Sequence, residues 1–352
     1  MFFIRLNVFM VFHVCLSNFQ TECREVGVGK VIFSIISLFF NVVIYAQGFS
    51  LPLPLTDPAV NCEKIGNPTI KDSVQLYKSF DGDVKNFRLY DGRWSPHYDG
   101  GYDERLQKWL GYDWVVKRTL AGSHEQQIYV DPLYKGNAKQ SLGINPFSIV
   151  NNNLVIEAKA IPPNLNAALP GFAYTSGLLT TRTSFLQLYG YFEIDAKVPQ
   201  GIHLLPAFWL LPFDKSWPPE IDIFEAPGHL KNTIATTVHS KDVTGKLVHS
   251  GCKLIVVDYD KSFHKYGALW LPDRIIFYID RVPVSAIKSP SGFDKPMYLL
   301  INLAVGGDWV GFMSNNYGIP AEFIIKDVAA YSLKKNYECI SSQGGAKLCQ
   351  GM

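Results

Sequence analysis

The sequence lacks a dominant charge. Its 352 residues carry 33 basic and 31 acidic side chains, a net charge of +2, and no run of like charge stands out. A nucleic-acid-binding chain would show a basic stripe, so none of its partners is expected to be a nucleic acid. A long membrane span is also lacking. Met1 to Phe19 is mostly apolar but carries Arg5, and the second apolar run, Val31 to Ala46, is 16 residues, short of the roughly 20 that a spanning helix needs. None of the six cysteines sits at a Cys-x-x-Cys spacing, which excludes the common zinc frameworks. No long stretch repeats with a helical period, and there is no short internal repeat.

Aromatic residues are plentiful, at 14% of the chain. They suit β-strands, and they suit stacking on sugar rings. The first 46 residues differ from the rest. Lys30, the apolar run 31–46 and the small residue Ala46 have the order of a signal peptide's charged region, core and cleavage end. Export with cleavage near Ala46 is the expectation. An uncleaved anchor, the membrane's only role here, is the alternative. Cys62, Cys252, Cys339 and Cys349 follow the leader and allow three pairings; the short segment between Cys339 and Cys349 makes a bridge there easy, with Cys62 and Cys252 as complement.

Residues 47–70 are rich in Pro, Gly and Asn and read as a linker or arm. From 71 to 335 the pattern is short alternating runs broken by turn residues, followed by a tail, 336–352. In Tyr191 to Val198, Phe192, Ile194, Ala196 and Val198 share one face, and Tyr191, Glu193, Asp195 and Lys197 the other. Asp280-Arg281 reads as a hairpin turn between 274–279 and 282–286. Many closely spaced strands predict a β-sandwich or barrel.

The stretch Trp217 to Gly228 carries three acids, Glu220, Asp222 and Glu225, among Ile221, Ile223 and Phe224. On a strand, Glu220 and Asp222 face one way and Ile221 and Ile223 the other. Glu225 would then point to the core, unless one extra residue, a β-bulge, returns it to its partners' face. Two carboxylates on one cleft wall are what glycoside hydrolysis uses, one to attack the anomeric carbon and one to protonate the leaving oxygen. A solvated acidic edge or a calcium site is the alternative for such a cluster.

Glu220-Ile-Asp-Ile-Phe-Glu225 resembles the E-x-D-x-x-E signature of glycoside hydrolase family 16, the laminarinase and lichenase group, in its bulged form. Four further blocks in family order extend the resemblance over roughly 75–335: Tyr174-Thr-Ser-Gly-Leu-Leu-Thr-Thr181, Tyr189-Gly-Tyr-Phe-Glu193, Pro206-Ala-Phe-Trp-Leu-Leu-Pro212 and Asn302-Leu-Ala-Val-Gly-Gly-Asp-Trp309. The resemblance implies an all-β jelly roll of two curved antiparallel sheets with the cleft along the concave face. It implies Glu220 as nucleophile, Asp222 as assisting acid and Glu225 as acid/base. Trp209 and Trp217 would line the donor side, and Trp309 would be a sugar platform, with Gly306 and Gly307 letting its loop approach a ligand. His239 would stand by the carboxylates, and Glu125 or Gln126 would touch sugar. No cofactor is required. Asp327 matches a ligand position for the family's structural calcium ion.

There are departures. His203 and Leu205 stand where a glycine and a tryptophan are usual, removing one stacking indole. Asp195 stands where an arginine is common, a charge reversal that bears on specificity. The reading these residues imply is a monomeric, retaining endo-β-1,3 or mixed β-1,3/1,4-glucanase whose partner is a polysaccharide. Trimming of the cell's own exopolysaccharide, transglycosylation, and glucan binding without catalysis are the alternatives. For the leader, N-terminal sequencing of the exported protein is expected to read from a residue close after Ala46; a mature protein starting at Met1 would contradict it.

Overall fold

A computed structural model of the chain describes residues 48–54, 70–98, 102–103, 108–109, 117–334, 338–341 and 347–350. The leader and Cys62 lie outside the described residues. Ten strands carry the argument: β1 (Gly48–Pro54), β2 (Ile70–Asp81), β3 (Leu178–Thr180), β4 (Gly190–Lys197), β5 (Leu204–Pro212), β6 (Glu220–Glu225), β7 (Thr233–Lys241), β8 (Leu247–Ile255), β9 (Met297–Val305) and β10 (Ala321–Ser332). They belong to two large, mainly antiparallel sheets, the jelly-roll sandwich expected from the sequence. One has nine strands and runs β8-β7-β6-β5-β9, with β3 also paired to β9; the other has eleven and contains β4 and β10 side by side.

Alternation along β4 settles which face is inside. Phe192, Ile194, Ala196 and Val198 enter the core between the sheets, with Phe208 and Leu210 of β5 and Ile301 and Leu303 of β9. The opposite face of β4 is covered by β1 and β2. Tyr191 packs there with Leu51, Leu76, Leu269 and Tyr278, and Phe49 of β1 stands edge-on to Tyr331, centroids 4.8 Å apart. Residues 48–54, expected as an arm, therefore form a strand, pairing from Gly48 opposite Tyr77 to Pro54 opposite Ile70. The expected tail likewise contains paired strands, 338–341 and 347–350, with Cys339 opposite Cys349. Cys252 is disulfide-bonded. Asp280 and Arg281, at φ 52° and 62°, make the two-residue turn read from the sequence.

Asp195 and Glu193 point to the outer face of the eleven-stranded sheet, away from the acids of β6. Arg281 grips both oxygens of Glu193, Nε to Oε2 and Nη2 to Oε1 at 2.8 Å, and the Tyr191 hydroxyl donates to Oε2 at 2.9 Å. Lys265 pairs with Asp195 at 2.9 Å. The charge reversal at Asp195 is thus answered by a lysine on the neighbouring strand and has no part in the cleft. Glu193 is 3% exposed, so its charge depends on Arg281. Arg281→Met should lower stability by about 2 kcal/mol in urea unfolding, below the range for fully buried pairs because Arg281 is partly exposed. Adding Glu193→Gln should recover much of that loss. Equal stabilities of the single and double variants would refute the coupling.

Candidate active site

β6 is built as the acid and apolar pattern required. Glu220 and Asp222 lie opposite His239 and Thr237 of β7, and the register then jumps so that Glu225 meets Ala235. The same break appears against β5, where Trp209 opposes Asp222 and Ala207 opposes Glu225. Ile221, Ile223 and Phe224 all enter the core. Two consecutive inward residues are the mark of the bulge, and they turn Glu225 back to the face of Glu220 and Asp222.

Asp222 is buried, Glu220 and Glu225 are half-buried, and the three sense one another. Burial first, then the charge of Asp222, raises the pKa of Glu220 to about 8. Burial raises Asp222 to about 7. Glu225 is pushed well above the carboxylate range by burial and by the charges of Asp222 and Glu220. The charge of Asp222 acts on Glu220, and a proton held between two such close carboxyl groups belongs to the pair rather than to either one. Glu225, whose protonated form is favoured by burial and by its neighbours' charges, suits a general acid. Glu220 also has partners that favour its anion. The Trp217 indole N–H donates to its Oε2, and His239 Nε2 lies 3.9 Å from its Oε1.

His239 Nε2 is 2.8 Å from Asp222 Oδ2, and its Nδ1 is 2.5 Å from Nδ1 of His249 on β8. One of those two ring nitrogens must donate and the other accept. His249 was not singled out by the sequence; its only signal is a register position opposite His239. Glu220, Asp222 and His239 also have ligand atoms within 4.8 Å of one another, the one such metal-capable group among the described residues.

The other expected residues separate. Trp217 is at the site, but as a hydrogen-bond donor to Glu220 with its ring 6.2 Å from that of His239. Trp209 is 6% exposed and packs beneath the cleft with Tyr98, Tyr129, Tyr298 and Leu300. Its indole N–H donates to Asn302 Oδ1 at 2.7 Å, and Asn302 Nδ2 donates to the Tyr129 hydroxyl at 3.0 Å. It therefore braces the floor and offers no open ring face to a sugar. Asn302 was legible as the lone polar residue of an apolar strand.

Glu125 is held through one oxygen of its carboxylate. Its Oε2 accepts from the Leu120 N–H, the Thr119 hydroxyl and the Gln127 amide at 2.9, 3.1 and 2.8 Å, and burial still lifts its pKa to about 7. Gln126 is likewise spent on the backbone of Met313, accepting from its N–H and donating to its carbonyl. Trp309 is 40% exposed on the loop after β9. That loop's glycines serve a different approach. Gly306 and Gly307 have φ 69° and 115°, and a Cβ there would fall 2.1 Å from Gln126 Oε1 and 2.9 Å from the Ser123 carbonyl. They let the loop close on residues 123–126, where the Asp308 N–H donates to the Ser123 carbonyl. His203, in the usual glycine's place, donates from Nδ1 to the Val310 carbonyl at 2.9 Å and holds the same loop.

Asp327 faces Asp195 across β4 and β10, and its nearest charges include Lys78 and Lys265. Asp81 is also close to it, and no metal-capable group includes Asp327 among the described residues.

The family model for glycosyl hydrolases family 16 matches residues 138–317. The endo-1,3-1,4-beta-glycanase EglC of Rhizobium meliloti is 38% identical over 271 residues, which cover 76% of this chain and 54% of that protein. The endo-1,3-1,4-beta-glycanase ExsH of the same organism is 41% identical over 269 residues, with the same coverage of 76% and 54%. Among solved structures, the endo-beta-1,3-glucanase from Pyrococcus furiosus superposes with a TM-score of 0.55 at 28% identity, covering 74% of this chain and 96% of that one. The chain spans about half the length of the curated relatives it matches. It belongs to glycosyl hydrolase family 16.

Proposed function

We propose that the chain is a retaining endo-β-glucanase cleaving β-1,3 or mixed β-1,3/1,4 linkages, exported after loss of its leader. The observation that carries this reading is the bulged strand β6, with Glu220, Asp222 and Glu225 on one face. The names of its relatives EglC and ExsH supply the linkage class.

Glu220 attacks the anomeric carbon as its shared proton passes fully to Asp222, and the Trp217 N–H orients the attacking oxygen. Glu225 gives its proton to the leaving glycosidic oxygen. The glycosyl-enzyme ester that results is hydrolysed when Glu225, now a base, takes a proton from water. Asp222 follows the charge on Glu220 without bonding to sugar, and His239 steadies the negative form of the pair through the 2.8 Å contact.

Glu220→Ser should reduce turnover of a β-glucan by at least about a thousand-fold with the fold intact, since both its covalent and electrostatic roles are lost. Glu225→Ala should be most damaging on substrates with poor leaving groups, and azide should rescue its deglycosylation on activated aryl glycosides. Asp222→Asn should cost less than either. NMR of fresh product should show the β-anomer first. An α-anomer first, or near-native turnover by Glu220→Ser, would refute the assignment.

The raised pKa values also make a stability statement. Each acid binds its proton more tightly folded than unfolded, so its contribution is fully present below the ordinary carboxylate pKa. That contribution is lost as pH rises through the folded values, about 7 for Asp222 and about 8 for Glu220. Glu225→Gln removes one such group. It should melt higher than wild type at pH 8 and differ little at pH 4; the reverse order would contradict the buried-acid picture.

A further inference from the structure

A second feature lies on the row of residues that contains Asp222. Reading register partners across the nine-stranded sheet, Asp222 faces Trp209, Trp209 faces Leu300, Leu300 faces Thr180, and Thr180 bridges to Ser95. Ser95 is therefore four strand spacings from Asp222, about 19 Å along the direction that crosses the strands. Tyr98, three residues on, feels the charge of Glu220 and stands edge-on to Trp209 at 6.2 Å. Residues 95–98 thus run from the end of the row back to the catalytic acids.

At that end is a pocket of about 530 Å³, lined among others by Tyr90, Ser95, Arg118, Asp131, Leu133 and Lys135. Its polar wall is assembled in advance. Asp131 is nearly buried, and its carboxylate accepts from the Tyr90 hydroxyl at 2.5 Å, from Arg118 Nη1 at 2.6 Å and from the Leu133 N–H at 2.9 Å. Three donors satisfy that carboxylate and hide its charge inside the wall. Arg118 is fixed as well, its Cζ lying 4.3 Å over the Tyr134 ring. Nη1 makes all of the guanidinium's hydrogen bonds, to Asp131 and to the Pro96 carbonyl. The Nε and Nη2 edge has no partner among the described residues, and neither atom is sealed from solvent. Lys135, exposed on the rim, has no acidic partner among the described residues either. Tyr90, 50% exposed, and Leu133, 62% exposed, add apolar surface of the kind a sugar ring covers. Tyr90 is held at φ 72°, an uncommon conformation for an aromatic residue that its bond to Asp131 helps to fix.

We propose that this pocket is a distal subsite for a carboxylate-bearing sugar residue of the polysaccharide, received by the free edge of Arg118 and by Lys135. The Nε and Nη2 edge is the fork that takes a carboxylate through two parallel hydrogen bonds. The one carboxylate already in the wall is neutralised, which leaves the pocket a net cation. The distance along the row leaves space for several sugar residues between the pocket and the bond that is cut. The inference rests on the glucanase reading, and it extends the substrate class from neutral β-glucans to acidic ones.

The test uses long β-1,3-gluco-oligosaccharides, either neutral or with primary hydroxyls oxidised to carboxylates. Their binding is measured by calorimetry on the full chain carrying Glu220→Ser, so that hydrolysis does not interfere. The oxidised ligand should bind about three- to ten-fold more tightly at low salt, the range of one partly exposed charge-assisted contact, and the advantage should shrink as salt rises. Lys135→Glu, at an exposed position, and Arg118→Gln, checked for folding by its melting temperature, should each abolish that ratio. Equal affinity for the two ligands, or a ratio unmoved by Lys135→Glu, would overturn the subsite. Cleavage of the neutral ligand by the wild-type enzyme without an acidic preference would sink the subsite alone. Failure of the wild type to cleave either ligand would sink the glucanase reading, while an acidic preference lost in Lys135→Glu would still support the pocket.

Discussion

Everything at the site depends on one extra residue in β6. Without it, strict alternation would drive Glu225 toward the core occupied by Ile221, Ile223 and Phe224. A lone acid among those side chains would cost several kcal/mol or unfold the sheet locally. With the bulge, three apolar residues fill the core and three acids face the cleft from a strand of six residues. The strand on either side accommodates the break, β5 by skipping between Phe208 and Trp209 and β7 by setting Ala235 against Glu225.

Burial then differentiates the acids. Nearly identical carboxyl groups acquire different roles because each has different company. Glu220 has the Trp217 N–H and the nearby His239, Asp222 has His239 at contact distance, and Glu225 feels the repulsion of the other two. The floor beneath them is held by the chain from Trp209 through Asn302 to Tyr129, and the rim by the loop 306–311 stitched to 123–126. This rigid setting matters because a carboxyl group that could turn away to water would lose its raised pKa.

The sequence made local features legible. The five-residue gap between Glu220 and Glu225, set among apolar neighbours, has one economical solution on a strand, and the structure adopts it. The faces of β4 and the turn at Asp280-Arg281 follow from period and turn chemistry alone. What failed depended on which segment covers which face. Trp209 reads as a cleft residue until Tyr98 and Tyr298 close over it. Asp195 reads as a change of specificity until β4 is assigned to the outer sheet. Prolines 52 and 54 argue for an arm, and only pairing with β2, some twenty residues away, makes that segment a strand. The Arg118 and Asp131 pair of the distal pocket left no motif, because its parts come from separate segments.

The central claim is that Glu220 forms a bond to the sugar while Glu225 handles the proton. A 2-fluoro-2-deoxy glycoside with a good leaving group slows release of the intermediate more than its formation and so lets the ester accumulate. Mass spectrometry of the peptic digest should then find the fluorosugar on the peptide containing Glu220, with fragmentation assigning it to that residue. A label on Glu225 or Asp222, or complete inactivation with no covalent adduct on β6, would contradict the account.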